Sequence, residues 1–552
     1  MLKSNLLIIF NRVLTVAFLL LLAFSSQALT ANNIVAVAPL MNQEQDNPEK
    51  VVLEHADNWD YNDFLYPGAH RLSGHVRFSH KGMIMDCDSA VYYIKTNSFE
   101  AMGNVIMNQG DTLTLTGDSL YYDGESLLAQ MRHNVVLTHH TQQLFTDSLN
   151  YDRVDSVGYF FAGGKLVDNE NVLTSEWGEY LVATKEANFL YHVDLSNPQF
   201  NVQSDTLNYN TVTKWAHVKG TSVIKSGNSV INTQNGYYNT QDEYARLYNR
   251  SVILSDGKRM IGDTLLYDKL KGDMHGFGNI HYKDSVNKNI LQGHYVWYNE
   301  LTGEALCRDS ALVLDYSSGT DTLFIHADTL KLFTEHINTD SVWRNIRAFY
   351  HVRMFRNDLQ AVCDSLDFDS KLKLMTLHKD PIVWSGNRQV LGEQFNVHFN
   401  DSTIDSIYVC RQALMVEHVD STCYNQISGH EMRSYFKNGE IAENQVHGNV
   451  RVIFYPLEKD SVVLYQVYIE TSKLKMFMSQ RKLDNLWTPA AQGHFYALGM
   501  APKEYNELEN FEWFDYIRPL NKNDLFHWRP KRKGTELKTT HRRQAPLQHL
   551  QH

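Results

Sequence analysis

Tyrosine returns along this chain at a nearly fixed interval. The positions are Tyr92, Tyr122, Tyr151, Tyr180, Tyr209, Tyr238, Tyr267 and Tyr298, separated by 30, 29, 29, 29, 29, 29 and 31 residues. An internal period of this length marks a stack of equivalent structural units and overrides any division of the chain by length alone. The text around each tyrosine is similar: Gly117-Asp118-Ser119-Leu120-Tyr121-Tyr122-Asp123, Thr146-Asp147-Ser148-Leu149-Asn150-Tyr151-Asp152, Ser204-Asp205-Thr206-Leu207-Asn208-Tyr209-Asn210 and Gly262-Asp263-Thr264-Leu265-Leu266-Tyr267-Asp268. Leucine and tyrosine two apart share one face of a pleated strand, and the flanking Asp, Asn and Gly are turn formers.

A second recurring piece lies between successive tyrosines. Gly103-Asn104-Val105-Ile106-Met107, His133-Asn134-Val135-Val136-Leu137, Gly220-Thr221-Ser222-Val223-Ile224, Asn249-Arg250-Ser251-Val252-Ile253-Leu254 and Gly278-Asn279-Ile280-His281-Tyr282 each place turn residues ahead of a short β-branched run. Every unit is therefore expected to hold at least two strands. No helical spacing is sustained within the units. Beyond Tyr298 the period loosens: Asp263, His294, Asp328, Asp364 and Glu393 are separated by 31, 34, 36 and 29 residues, so inserted loop residues and a bend or seam are expected there. The pattern covers roughly Tyr61 to Glu470 of the 552 residues.

The amino-terminus reads as an export signal. Lys3 and Arg12 supply positive charge, Val13 to Phe24 is apolar except for Thr15, and Ser26-Gln27-Ala28 offers a cleavage site after Ala28. Cleavage is the expected outcome and a retained anchor the alternative. The sequence thus divides into a signal over residues 1–28, a linker over 29–60, regular repeats over 61–300, looser repeats over 301–470, and over 471–552 an aromatic cap followed by a basic disordered tail.

Composition excludes several functions. The formal charge of −12 becomes −14 without the two signal cations, which gives no broad basic surface for nucleic acid. Cys87, Cys307, Cys363, Cys410 and Cys423 are too few and too irregular for a disulfide framework; Cys87 and Cys363 read as buried fillers, and a Cys410/Cys423 disulfide stays open. No phosphate-binding glycine loop and no zinc-ligand spacing occurs. The recurring Asp residues read as turn and edge residues, and His139-His140 as an exposed strand end. No catalytic constellation, cofactor or metal site is expected.

Asp-Ser/Thr-Leu-x-Tyr-Asp strands alternating with Gly-Asn-Val-x-Leu strands behind an export signal resemble the OstA-like family, the organic-solvent-tolerance and LptA-type lipopolysaccharide-transport proteins. The resemblance implies an all-β, elongated, open β-jellyroll, a V-shaped double antiparallel sheet built here from units of about 29 residues. It implies a non-enzymatic periplasmic bridge that shields lipopolysaccharide or a related lipid between the inner and outer membranes. The lipid-binding groove would be lined by Leu120, Tyr122, Leu149, Tyr151, Tyr180, Leu207, Tyr209, Tyr238, Leu265, Tyr267, Val296 and Tyr298. Inner- and outer-membrane transport components would dock by β-edge pairing, with head-to-tail self-association as a further arrangement. The repeat region is longer than in the short bridge proteins of that family. No porin-like barrel pattern follows it, since after Leu483 the chain shows Trp487, Pro489, Trp513, Pro519, Trp528 and Pro530 with little alternation. Two other classes share parts of the pattern: a structural β-solenoid scaffold or adhesin, and a parallel β-helix acting on polysaccharide.

Overall fold

The computed structural model describes residues 50–538, apart from 318–320, 338–341, 401–403, 438–439, 458–461 and 480–481. The expected export signal lies outside the described residues. Those residues form 36 strands from Val52 to Ala497 and four short 3₁₀ turns. Every pairing among the described strands is antiparallel and joins strands that are adjacent or separated by at most two others along the chain. A parallel β-helix is thereby ruled out, because its coils require parallel pairing. Strand pairing also continues past Glu470, through Tyr465–Ser479 to Ala491–Ala497.

Most strands are long, 11 to 15 residues, and the ladder shifts register near the middle of each. At these shifts lie residues with left-handed backbone: Gly74 and His75, Gly103 and Asn104, His133 and Asn134, Gly278 and Asn279, Gly448 and Asn449. The Gly-Asn pieces are therefore corners inside one strand rather than turns ahead of a second one. Two residues at positive φ bulge and bend the strand, so one half lies in each of two sheet arms. Ser98–Gln109 shows the result, with Phe99 and Ala101 inward on one arm and Val105 and Met107 inward on the other.

In several motifs the acidic residue that opens the tyrosine motif also serves the corner. Asn104 donates from Nδ2 to Asp88 at 2.8 Å, Asn134 to Asp118 at 2.7 Å and Asn279 to Asp263 at 2.7 Å, in each case across 16 residues. Where threonine replaces asparagine, the backbone N–H of Thr221 donates to Asp205 at 2.8 Å. The trailing Asp or Asn behaves as the sequence predicts. Asp152, Asn210, Asn239 and Asn299 each accept from two backbone N–H groups of the following turn.

Candidate functional site: a cleft closed in one half and open in the other

The tyrosines fall into a single transverse row on the inner face of one arm, called here the tyrosine arm. Read across the ladder, the row runs Tyr92, Phe99, Tyr122, Ala129, Tyr151, Gly158, Tyr180, Ala187, Tyr209, Ala216, Tyr238, Ala245 and Tyr267. From Tyr122 on, each ring stands beside Ala or Gly, so large and small side chains alternate along the row and each ring has room beside it. The small residues recur at 29-residue spacing themselves, at 129, 158, 187, 216 and 245, a signal present in the sequence beside the tyrosine ladder. Closer to the corner a second row contains Leu120, Leu149, Leu207, Leu265 and Val296. Gly178 and Gly236, which replace the leucine before Tyr180 and Tyr238, leave space that neighbours fill; a Cβ on Gly178 would stand 2.6 Å from the Phe160 ring.

The opposite arm supplies a matching row of Phe78, Met85, Met107, Leu115, Leu137, Leu144, Leu166, Leu173, Leu195 and Val202. From Val51 to Ile224 the two arms pack into one buried core. Leu120, Tyr122, Leu149, Tyr151, Tyr180, Leu207 and Tyr209 are all at most 2 % exposed.

Hydroxyl groups fasten this half at its rim. Tyr92 donates to the carbonyl of Val51 at 2.7 Å, Tyr122 lies 2.8 Å from Nδ1 of His80, Tyr180 lies 2.9 Å from Nδ1 of His139, and Tyr209 donates to Asp168 at 2.9 Å. Each partner lies 41 or 42 residues earlier, on the opposite arm. Arg153 donates to Tyr122 at 2.6 Å, and Lys214 pairs with Asp168 at 2.5 Å. His139 is 4 % exposed and belongs to this clasp, so it is not the exposed strand end read from the sequence. Burial raises the Tyr209 hydroxyl above its ordinary range, and the Asp168 carboxylate raises it further.

The arrangement changes at Tyr238. Its hydroxyl has no hydrogen-bond partner among the described residues; instead its ring meets Phe200 of the opposite arm edge-on, with centroids 4.9 Å apart. Every later ring pair of the described residues lies within one arm or beneath the carboxy-terminal segment. Tyr267 turns its hydroxyl along its own arm to Glu300 at 3.0 Å.

Beyond this point the rows near the corner stay buried, as at Leu265, Val296, Cys307, Leu330 and Leu366. The residues towards the strand ends do not. On the tyrosine arm Tyr267, Met274, Tyr298, Leu332, Ile346, Phe368 and Met375 are half-buried, and so are Tyr282, Leu291, Val313 and Ile325 facing them. These are apolar inner-face positions left partly open, a cleft whose floor is the line of corners. Arg344, exposed and two residues before Ile346 on Trp343–Arg356, shares its strand face at the end of the tyrosine arm and adds a cation there. The twelve residues predicted from sequence thus share one face. Seven of them sit in the closed half; of the rest, Tyr238, Tyr267 and Tyr298 face the cleft half-buried, while Leu265 and Val296 lie in its floor.

Residues 48–205 match the model of a family described as OstA-like protein. This segment is similar to OstA-like proteins. The OstA-like segment coincides with most of the closed half, and the same ladder carries its topology on through the open half. No curated protein matches the chain. Among the described residues no helix is long and apolar enough to cross a membrane, and no cluster of His, Cys, Asp or Glu could hold a metal ion. All five cysteines are free and buried, so the Cys410/Cys423 disulfide left open by the sequence is not formed. Burial pushes the Cys87 and Cys307 thiols up to about 12, as befits fillers rather than nucleophiles.

A carboxy-terminal strap covers the outside of the open half. Leu508, Phe514 and Ile517 join Trp384, Leu414, Val416, Ile453 and Tyr468 in a third buried cluster on the outer face. Four buried glutamines hold the strap by its backbone or side chains. Gln389 donates to the carbonyl of Glu512 and accepts from the N–H of Phe514, and Gln426 does the same with Asn506 and Leu508. Gln466 donates to the carbonyl of Tyr505, and Gln360 accepts from Arg518. Part of the basic stretch is paired here: Lys531 with Asp380 at 2.5 Å, Arg532 with Glu512 at 3.0 Å, and Arg529 with Asp524. The strap braces from outside the arm that lacks a fully packed partner inside.

Proposed function

We propose that this chain is a non-enzymatic lipid carrier of the periplasm, which shields the acyl chains of lipopolysaccharide or a related lipid on the way from inner to outer membrane. The observation that carries the reading is the half-exposed pair of apolar rows from Tyr267 to Met375 and from Tyr282 to Ile325, continuous with the core of an OstA-like segment. Side chains with this exposure leave apolar area in contact with water. Hydrocarbon laid between the arms removes it, at about 0.8 kcal/mol for each methylene transferred. Equivalent positions repeat along the ladder, so a chain can shift from one to the next at little cost in free energy. Backbone pairing is open at both terminal strands, Val52–Tyr61 and Lys482–Ala497, and a partner that exchanges lipid would dock where the partly open rows can be reached.

A scaffold reading has support in the closed half, where the tyrosines are fully packed. Photo-crosslinking separates the two. A photoreactive residue in place of Tyr298 or Leu291, in cells, should label lipopolysaccharide; labelling of protein alone from both positions would leave only the scaffold.

A further inference from the structure

We infer that the cleft is blind at its amino-terminal end, closed there by the Phe200–Tyr238 ring pair, so that lipid enters and leaves only on the carboxy-terminal side of this wall. The inference rests on the carrier reading and specifies which part of the inner surface takes hydrocarbon.

Three observations converge on that boundary. Phe200, 4 % exposed, reaches from the opposite arm to Tyr238 on the tyrosine arm, with ring centroids 4.9 Å apart and planes at 68°. Before the wall, four tyrosine hydroxyls tie the arms together at the rim, the last being Tyr209 to Asp168 with Lys214. After it the positions corresponding to those partners, 41 residues before each tyrosine, are Asn197 for Tyr238 and Ser226 for Tyr267. Both are engaged within their own arm, Asn197 with Asn171 and Ser226 with the carbonyl of Gln199. The buried core divides at the same place: Ile231 and Tyr238 alone pack against both the first cluster and the second.

The physical consequence is a difference in what lipid must displace. In the open half, hydrocarbon covers surface that water already touches. In the closed half it would have to separate packed rings, expose them, and leave the buried Asp168 carboxylate without its tyrosine, which costs far more than a few methylenes return. Phe200 and Tyr238 therefore set how far an acyl chain reaches. At the other end, among the described residues, no ring pair joins the two arms, and Leu486 and Trp487 on Lys482–Trp487 are close to half exposed.

The test is a crosslinking scan of the full-length protein with detergent-solubilised lipopolysaccharide. Photoreactive residues at Leu291 and Tyr298 should label the lipid, while those at Leu149 and Leu207 should give no lipid adduct. In the Phe200→Ala, Tyr238→Ala double variant, adducts from Leu207 should rise severalfold while those from Tyr298 hold steady. Adducts from Leu149 and Leu207 in the unaltered protein as strong as those from Tyr298 would overturn the blind end and leave the carrier intact. Lack of adducts at Tyr298 would remove the carrier reading, and the blind end with it. Hydrogen exchange of the unaltered protein needs no substitution: added lipopolysaccharide should slow exchange in Asp273–Asp284 and Asn289–Asn299, whereas slowing across Glu186–Asn197 and Phe200–Asn210 would also overturn the wall.

Discussion

The hydroxyl of Tyr209 donates to a carboxylate oxygen of Asp168, 41 residues earlier and on the opposite arm, and Asp168 has no exposed side-chain surface. One hydrogen bond thus joins a member of the sequence repeat to a partner that the repeat does not predict. Lys214 completes the clasp at 2.5 Å. Tyr209→Phe should destabilise the protein by about 1–3 kcal/mol, the cost of leaving a buried acceptor short of a donor. Tyr238→Phe removes a hydroxyl that has no partner and should cost close to nothing. Urea unfolding of the two variants side by side measures the contrast, and equal losses would refute the clasp.

The corners offer a test of backbone conformation. Gly103 has φ +77°, and a Cβ there would stand 2.5 Å from the Asp88 carboxylate; Gly220 has φ +81° and meets Asp205 at the same distance. Gly103→Ala and Gly220→Ala should each cost roughly 1–3 kcal/mol through left-handed strain and the close approach. In an Asp205→Gly background the Gly220→Ala penalty should shrink, because the steric part is gone while the strain remains. A penalty of unchanged size in that double variant, measured by thermal unfolding, would assign the whole effect to backbone strain.

Acid should loosen the closed half. Burial, with contributions from His140 and Lys185, holds His139 below the usual imidazole range. Its folded-state value is depressed, so the unfolded chain binds more protons in the interval between the two values. The stability it contributes is complete above the unfolded value, near 6.5, and declines as pH falls below that. His326, buried under the strap, shifts in the same direction for the same first cause. Unfolding midpoints should therefore drop from pH 7.5 to pH 5.5, and His139→Gln should flatten part of that slope; a slope that His139→Gln leaves unaltered would remove His139 from the account.

The strap depends on side-chain amides that stand in for a neighbouring strand. Gln389→Ala and Gln426→Ala each leave one backbone N–H and one C=O of the strap unpaired in a buried setting, at about 1–3 kcal/mol per orphaned group. Limited proteolysis should then cut within residues 498–538 well before the sheet. If the sheet is degraded at the same rate, the strap is an integral part of the core rather than a brace laid upon it.

At the strand end of the tyrosine arm in the open half, Arg344 stands exposed on the same strand face as Ile346. Arg344→Ala should weaken retention of an anionic amphiphile while leaving a neutral one of equal chain length unaffected, as read by fluorescence displacement at two ionic strengths. Equal loss for both would assign Arg344 to packing alone.

The chain's own text determined the strands and their inner faces, because a 29-residue period with parity two leaves a pleated strand only one way to face its neighbours. The same text carried the alanine and glycine series beside the tyrosines. What it could not carry was any relation between arms. His80, His139 and Asp168 are unremarkable polar residues in a linear reading, and become clasps only when the corners bring positions 41 or 42 apart face to face. The role of Gly-Asn as a corner within a strand was equally hidden, since two left-handed residues look alike in a turn and in a bulge. The same holds for the change at Tyr238. Its motif repeats that of its predecessors, and only the folded arms show that the clasp partners have run out and that the apolar rows continue without closing. Local sequence sets which residues face inward; whether they meet one another or leave room for something else is settled by side chains arriving from the other arm.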